Sequence, residues 1–323
     1  MKLPLALLSS LASLVLTGCP SPQPEPQPAP RPQAGPAKPG PAPLTREGGT
    51  LRFDLPASDP ASARAEAVEL AFAHVLERWS FAALKGERRA KLVQRAGDLL
   101  REEELSGGRY RAAANVDEVR NRILDELQVE QTFGRDPFVT ALLNDDWYTG
   151  EGLTLDEQEA LGGTARKALA DHLNRLRFRE TENEQAQIDQ AALELGATPS
   201  TQLMQEFCQA FQASLVVRVG GKIRFEPEPD ELARAEWAGR LRCEDVEAVL
   251  WDRDTATVLA RVTLRSEPGG EGPGVVGQPR LRQGAALGDA CEGYAAAIGR
   301  ALGVEVARRM FERFYAGDRR GTR

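Results

Sequence analysis

Few side chains in this sequence are of the types that carry out acid–base or nucleophilic chemistry. The chain has two histidines, His74 and His172, far apart in segments that read as helices. A histidine-based zinc site is therefore excluded, and a Ser-His-Asp set would depend on one of the two. His172 precedes a core-facing leucine and is interpreted as an ordinary helix residue. Neither a Gly-x-Ser-x-Gly nor a GxxxxGK motif occurs, so we predict no catalytic residue, no metal and no cofactor.

Neighbouring carboxylates offer the one alternative chemistry. Asp145 and Asp146 are adjacent, and Glu102, Glu103 and Glu104 form a run. Paired carboxylates hydrolyse glycosidic bonds, so a periplasmic carboxylate-dependent hydrolase of cell-wall glycans is the alternative function. Adjacent acidic residues on a surface usually only solvate it, and no convergent motif accompanies these. The main prediction is therefore a protein that is not an enzyme.

Cys19 is the cysteine with the most informative surroundings. It follows Lys2 and an apolar run, Leu3 to Leu16, that is too short to remain as a spanning helix. The stretch "LTGC" ending at Cys19 resembles the bacterial lipobox, in which a small residue precedes an invariant cysteine. The resemblance implies that residues 1–18 are a signal peptide and that Cys19 is lipidated. It places the protein in the cell envelope, anchored in the outer membrane and facing the periplasm. The alternative is an ordinary signal peptide with an unrelated cysteine.

A proline-rich stretch separates Cys19 from the rest of the chain. Pro20 to Pro43 contains 11 prolines in 24 residues. It has almost no apolar side chains to bury, so it does not offset the entropy cost of ordering. Proline favours the polyproline II conformation, at about 3.1 Å per residue, which gives a reach of up to roughly 75 Å. We predict that residues 19–48 are a disordered tether.

The composition of the chain is that of a soluble globular protein. Hydrophobic residues make up 41% and charged residues 28%, with a net charge of −7. This charge argues against nucleic acid as a partner.

The predicted elements divide the remaining chain into two α+β domains and a tail. Residues 49–132 form the first domain, with a strand at Leu51 to Leu55, a helix starting at Asp59-Pro60 and a charged helix at Arg88 to Glu104. A strand at Arg109 to Ala114 and the helix "VDEVRNRILDEL" complete it.

Residues 133–316 form the second predicted domain, a mixed sheet with packed helices, and residues 317–323 a disordered tail. Phe138 to Leu143 reads as a strand, and three helices follow. The last of these is "STQLMQEFCQAF", with Leu203, Phe207, Cys208 and Phe211 facing a core. "SLVVRVGGKIRF" predicts a strand with a bulge at Gly220-Gly221, and Asp252 to Thr255 turns a hairpin. A long helix from Leu287 to Tyr315 ends the domain.

The second domain carries a family likeness. The strand "FVTALLND", the helix "GGTARKALADHLNRL", the segment "FCQAFQASLVVRVGGKI" and the hairpin "VEAVLWDRDTATVLARVTL" resemble TolB N-terminal-like domains. Related domains occur in curli-secretion lipoproteins, in flagellar assembly protein T and in lipoprotein activators of penicillin-binding proteins. The likeness implies an envelope protein that binds a partner protein, in an assembly such as a peptidoglycan synthase, secretion or motility complex. The first domain and the long loop from Pro268 to Gly284 depart from the activators' pattern.

Trp147 and Tyr148 are the candidate partner-binding residues. They are neighbours in a polar loop after a predicted strand, in a chain with only 6% aromatic residues. Tryptophan and tyrosine are favoured anchors at interfaces, and loops often carry binding function. The alternative is that one or both fold back onto the core of their own domain.

Three further cysteines, Cys208, Cys243 and Cys291, meet an oxidising compartment after export. Because Cys208 lies on an apolar helix face, we predict that it is a buried free thiol. The odd number leaves Cys243 and Cys291 as the candidate disulfide pair.

Overall fold

The computed structural model describes residues 43–315 apart from 58, 80, 82, 83, 85, 130–138, 143–146, 182, 197, 229–236, 271 and 283. The chain divides into two compact units, Met1–Pro41 and Ala42–Arg323, and the described residues all belong to the second. The predicted signal peptide, Cys19, the C-terminal tail and nearly all of the tether lie outside the described residues. Among the helices that are described, none combines the length and apolar character that crossing a membrane requires.

The first part of this unit is a small antiparallel sheet with helices packed on it. Its strands are β1 (Leu44–Glu47), β2 (Thr50–Pro56), β3 (Leu100–Ser106) and β4 (Arg109–Asn115), in the order β1-β2-β4-β3. Its helices are α1 (Pro60–Arg78), α2 (Gly86–Arg95) and α3 (Val116–Leu127), with a short 3₁₀ turn at Gly97–Leu99. β1 lies inside the segment predicted to be tether, so the folded chain begins earlier than predicted.

Local sequence explains the first helix and its strand. The Asp59 side chain accepts hydrogen bonds from the amides of Ala61 and Ser62, and Pro60 occupies the first turn, where its missing N–H costs nothing. Leu51, Phe53 and Leu55 alternate toward the core in β2 and are almost fully buried. The predicted starts of both elements are confirmed.

The charged helix predicted for Arg88 to Glu104 is correct only over its first part. α2 ends at Arg95, and the glutamate run lies in β3, the outer strand of the small sheet. Pairing with β4 overrides the helical preference of the glutamates, because Glu104 lies opposite Arg111 on the neighbouring strand. The register shifts between Arg101 and Glu104, and Glu102 has a positive φ of 54°, so the strand carries a bulge there.

The second part is a mixed six-stranded sheet. Its strands are β5 (Val139–Leu142), β6 (Tyr148–Thr149), β7 (Leu215–Pro227), β8 (Trp237–Asp252), β9 (Val258–Thr263) and β12 (Arg280–Arg282). β5 and β6 run parallel to β7, and the other pairs are antiparallel. β10 (Arg265–Glu267) and β11 (Val275–Gly277) form a separate parallel pair inside the region predicted to be loop. The mixed α/β architecture and the mixed sheet agree with the sequence-based expectation.

The two-glycine bulge in β7 is confirmed. The register with β8 shifts between Gly220 and Lys222. Gly221 has φ of +150°, and a Cβ placed there would lie 2.5 Å from Val246 on β8. The close approach of the two backbones therefore requires glycine at this position.

Four helices cover this sheet: α4 (Leu155–Asn174), α5 (Gln185–Leu195), α6 (Thr201–Ala210) and α7 (Leu287–Tyr315). α7 has the predicted bounds. Alternate residues of β7 and β8 belong to different hydrophobic clusters: Val217 and Leu250 to one, Val216 and Trp251 to the other. Because successive strand residues point to opposite faces, the two clusters lie on the two faces of the sheet.

The larger cluster, which we call the main core, joins both parts of the folded unit. It contains buried residues of α4 and α7 as well as those of the small sheet and its helices. Across this junction the rings of Phe81 and Phe311 lie 4.9 Å apart, and Arg177 forms a 2.7 Å ion pair with Asp125. The described residues of the two predicted domains therefore share one continuous core.

The smaller cluster, which we call the minor core, lies under α5 and α6. It contains Ile188, Ala192, Leu195, Met204, Phe207, Cys208, Phe211, Ala213, Val216, Val249 and Trp251. Of the four residues predicted to face a core from α6 and its end, three are buried and Leu203 is 41% exposed. The buried arc of the helix is centred on Met204, Phe207 and Cys208, which leaves Leu203 at its margin.

Candidate functional site

The structure places Trp147 and Tyr148 in the core rather than on a binding surface. Their exposed fractions are 3% and 5%. Tyr148 begins the short strand β6, beside Ile223 of β7, and the Ile223 amide donates a 2.9 Å hydrogen bond to the Trp147 carbonyl. The Tyr148 hydroxyl donates to the carbonyl of Glu151 at 2.8 Å. Because both side chains are buried in the main core, they are not available as partner contacts. The alternative, that they fold back onto the core of their own domain, therefore applies.

The three described cysteines are buried free thiols. Cys208 lies in the minor core, as predicted. The predicted Cys243–Cys291 disulfide is not formed, because both cysteines are free thiols. The Cys243 thiol lies within hydrogen-bonding reach of Tyr294 and Ser266. Burial raises the pKa of Cys208 to about 12 and that of Cys291 to about 11, which keeps both protonated and weakly nucleophilic.

His172 belongs to a cluster at the junction between the two parts of the unit. Its ring stacks on Trp79 with centroids 5.1 Å apart, and the Arg120 guanidinium lies 5.0 Å from the centre of the Trp79 ring. Burial, followed by the charges of Arg175 and Arg120, lowers the pKa of His172 to about 4. Buried nitrogen atoms of all three clustered side chains lack hydrogen-bond partners among the described residues. The cluster therefore contributes packing but contains polar atoms that are poorly satisfied.

Other candidates for chemistry do not converge. The predicted carboxylates Asp145 and Asp146 lie outside the described residues. Glu103 accepts a 2.6 Å hydrogen bond from Tyr110, and Glu102 pairs with Arg52 on the surface of the small sheet. Within the described part of the chain, no group of three or more His, Cys, Asp or Glu side chains is arranged to hold a metal.

The outer side of α5 and α6 has a composition that distinguishes it from the rest of the surface. The exposed residues of these two helices, which we call the α5–α6 face, are Ala186, Gln187, Gln190, Leu193, Glu194, Thr201, Gln202, Leu203, Gln205, Glu206, Gln209 and Ala210. Leu193 is 55% exposed and Leu203 is 41% exposed. Centres of protein interfaces are depleted in charged residues, so this face is the candidate binding surface.

Internal packing holds the two helices of this face in place. The Ser200 hydroxyl accepts a hydrogen bond from the Leu203 amide and caps α6. Arg218 of β7 stacks over Trp251, 4.9 Å from its ring centre, and donates to the carbonyl of Gly196 at the end of α5. Gln205 of α6 reaches the carbonyl of Asp254 in the β8–β9 turn at 3.3 Å. The exposed leucines are therefore presented by anchored helices rather than by a loop.

The sequence contains a signal for this surface, which lies in the distribution of its charged residues. Residues 180–217 contain six acidic residues and no lysine or arginine, between Arg179 and Arg218. Helix periodicity identifies the side of a helix that is buried. It treats every residue on the opposite side as solvent-exposed, so an unusual composition on that side is not noticed.

In comparisons with known proteins, no family model and no curated protein matches this chain.

Proposed function

We propose that this chain is a lipid-anchored protein of the cell envelope that binds a partner protein through the α5–α6 face. The observation that carries the proposal is the pair of exposed leucines, Leu193 and Leu203, on adjacent helices whose outer residues are otherwise polar and few in charge. Isolated exposed leucines are common on protein surfaces, but here two are presented by adjacent helices with few charged residues, which suits an interface centre.

Two other leucines among the described residues are exposed, and their surroundings differ. Leu105 is 48% exposed on β3 after a run of three glutamates, and Leu155 is 69% exposed beside Asp156 and Glu157. The carboxylates beside these two leucines are already bonded within the chain, since Glu102 pairs with Arg52 and Glu157 accepts hydrogen bonds from Thr154, so they are less available to a partner.

The lipidated Cys19 and the proline-rich tether are part of the same proposal. The tether gives the folded unit a reach of up to roughly 75 Å from the membrane. We also propose, from the resemblance described above, a TolB N-terminal-like domain within residues 133–316. The partner is accordingly sought in an envelope assembly such as a peptidoglycan synthase, secretion or motility complex.

A matched pair of double variants tests the binding surface. Leu193→Ser with Leu203→Ser removes the proposed contact, and Leu105→Ser with Leu155→Ser removes two leucines of similar exposure elsewhere. A photo-reactive amino acid at Gln190 of each full-length variant reports contact in cells. We expect a cross-linked adduct in the parent and in the control, and its loss in the Leu193/Leu203 variant.

The stability of each variant completes the test. Since the leucines are exposed, both double variants should unfold within about 1 kcal/mol of the parent. Equal cross-linking in all three proteins would show that the partner binds elsewhere. An adduct formed only with a second copy of the chain would replace the proposal with self-association. Shortening the segment from Pro20 to Pro43 should prevent the adduct in cells while leaving the folded unit intact.

A further inference from the structure

We infer that the α5–α6 face takes a basic partner: a protein segment that combines apolar side chains with lysine or arginine. This inference rests on the proposed function and gives the partner its chemical class. It starts from the absence of lysine and arginine in residues 180–217, which span 38 positions and include both helices. The whole chain has 41 such residues in 323, so a stretch of this length would ordinarily contain about five.

The structure separates the acidic residues that are paired inside the chain from those that remain available. Glu180 forms a 2.9 Å ion pair with the partly buried Arg166, and Asp189 accepts a hydrogen bond from Gln185. Glu194 and Glu206 are exposed and form no ion pair with any described residue, and Glu206 accepts one 2.8 Å hydrogen bond, from the neutral Gln202. The charges of two carboxylates on this face are therefore not compensated by any described lysine or arginine.

Each available carboxylate accompanies one of the exposed leucines. Glu194 follows Leu193 directly on α5, and Glu206 lies three positions after Leu203 on α6, on the same side of the helix. Each helix thus presents an exposed leucine and a carboxylate that no described cation pairs with, and on α6 the two lie on the same side of the helix. A segment with leucine-like side chains flanked by basic residues complements both features at once.

Two other candidates for binding this face come from the chain itself: a second copy of the protein and its own C-terminal segment. A second copy docked through the same face would bring like charges together, which is unfavourable at an interface. The last eight residues of the sequence contain Arg319, Arg320 and Arg323, but they have no large apolar side chain to contact the leucines. Both occupants are therefore outcomes that the experiment must distinguish.

Two synthetic amphipathic peptides provide the probe. They have the same length and the same leucine stripe, with lysine at the flanking positions of one and glutamate at those of the other. Binding to the full chain carrying Cys19→Ser is measured by fluorescence anisotropy at low and moderate salt. We expect the lysine peptide to bind at least about 10-fold more tightly than the glutamate peptide, with the difference shrinking as salt rises.

Two matched pairs of charge variants test whether the preference for the lysine peptide comes from this face or from the net negative charge of the whole protein. Glu194→Gln with Glu206→Gln should remove most of the preference for the lysine peptide. Glu159→Gln with Glu292→Gln removes the same net charge from exposed positions on α4 and α7 and should leave the preference unchanged. If the two pairs have the same effect, attraction is non-specific and the inference fails.

The remaining outcomes are also decisive. If a chain lacking residues 316–323 binds the lysine peptide at least 10-fold more tightly than the full chain, the face belongs to its own C-terminal segment. If the lysine peptide shows no preference while the cellular cross-link from Gln190 persists, the proposed function holds and only the basic partner is wrong. If both are absent, the binding surface itself is wrong.

Discussion

One face of the second sheet is covered by α4 and α7, and the other by α5 and α6. On the first face the buried side chains continue into the small sheet and form the main core. On the second face the buried side chains form the minor core. The outer side of the two helices carries exposed leucines and carboxylates that form no ion pair with a described residue. The comparison suggests a division of roles: the main core supplies most of the stability, and the thinner layer presents a surface.

The largest expected effect comes from truncating a matched phenylalanine in each core. Phe311 is fully buried in the main core against Phe81, and Phe211 is 8% exposed in the minor core against Phe207. Phe311→Ala should lower the free energy of unfolding by about 4–5 kcal/mol, and Phe211→Ala by about 3 kcal/mol. Urea denaturation followed by circular dichroism and by tryptophan fluorescence measures both. Coincident transitions are expected for each variant, and a separate early transition would show that the minor-core layer unfolds alone.

The packing of α4 against α7 offers a second test of the main core. A Cβ at Gly299 of α7 would lie 2.0 Å from the carbonyl oxygen of Ala165 on α4, whereas one at Gly293 meets nothing within 4 Å. Gly299→Ala should therefore force the helices apart and destabilise the fold by about 3 kcal/mol. Gly293→Ala should stabilise it by up to about 1 kcal/mol, because alanine is the better helix former. Similar melting temperatures for the two variants would mean that the helices do not pack as closely as described.

Acid should weaken the main-core junction through His172. Its pKa is about 4 in the folded protein and about 6.5 in an unfolded chain, so the unfolded state binds the proton more readily. Stability contributed by the neutral ring is therefore present above pH 6.5 and is lost as the pH falls from about 6.5 to 4. The loss by pH 4.5 should be roughly 2 kcal/mol.

His172→Phe is the matched variant for this pH effect, because it keeps an aromatic ring against Trp79 and removes the proton-binding nitrogen. Denaturation at pH 7 and pH 4.5 should show a smaller acid-induced loss in the variant than in the parent. Since both proteins share every carboxylate, an identical loss would assign the acid sensitivity to other groups.

The parts of the fold that could be predicted are those whose cause lies in nearby residues. Asp59-Pro60 supplies its own helix start, and the two glycines of β7 fall where two strands approach too closely for a side chain. The errors have long-range causes. The glutamates of β3 become a strand because β4 lies beside them, and Tyr148 is drawn inward by pairing with Ile223, 75 positions later in the chain. The α5–α6 face was missed because helix periodicity says nothing about exposed positions.

The bulge in β3 has a consequence for how this edge of the sheet meets other molecules. An outer strand exposes unpaired backbone groups that a neighbouring molecule can use to extend the sheet, which leads to aggregation. β3 opposes this with a backbone irregularity at Glu102 and with exposed charged side chains, Arg101 and three glutamates. A neighbouring molecule therefore finds no regular apolar edge to extend, and copies of the protein brought close together should remain separate molecules.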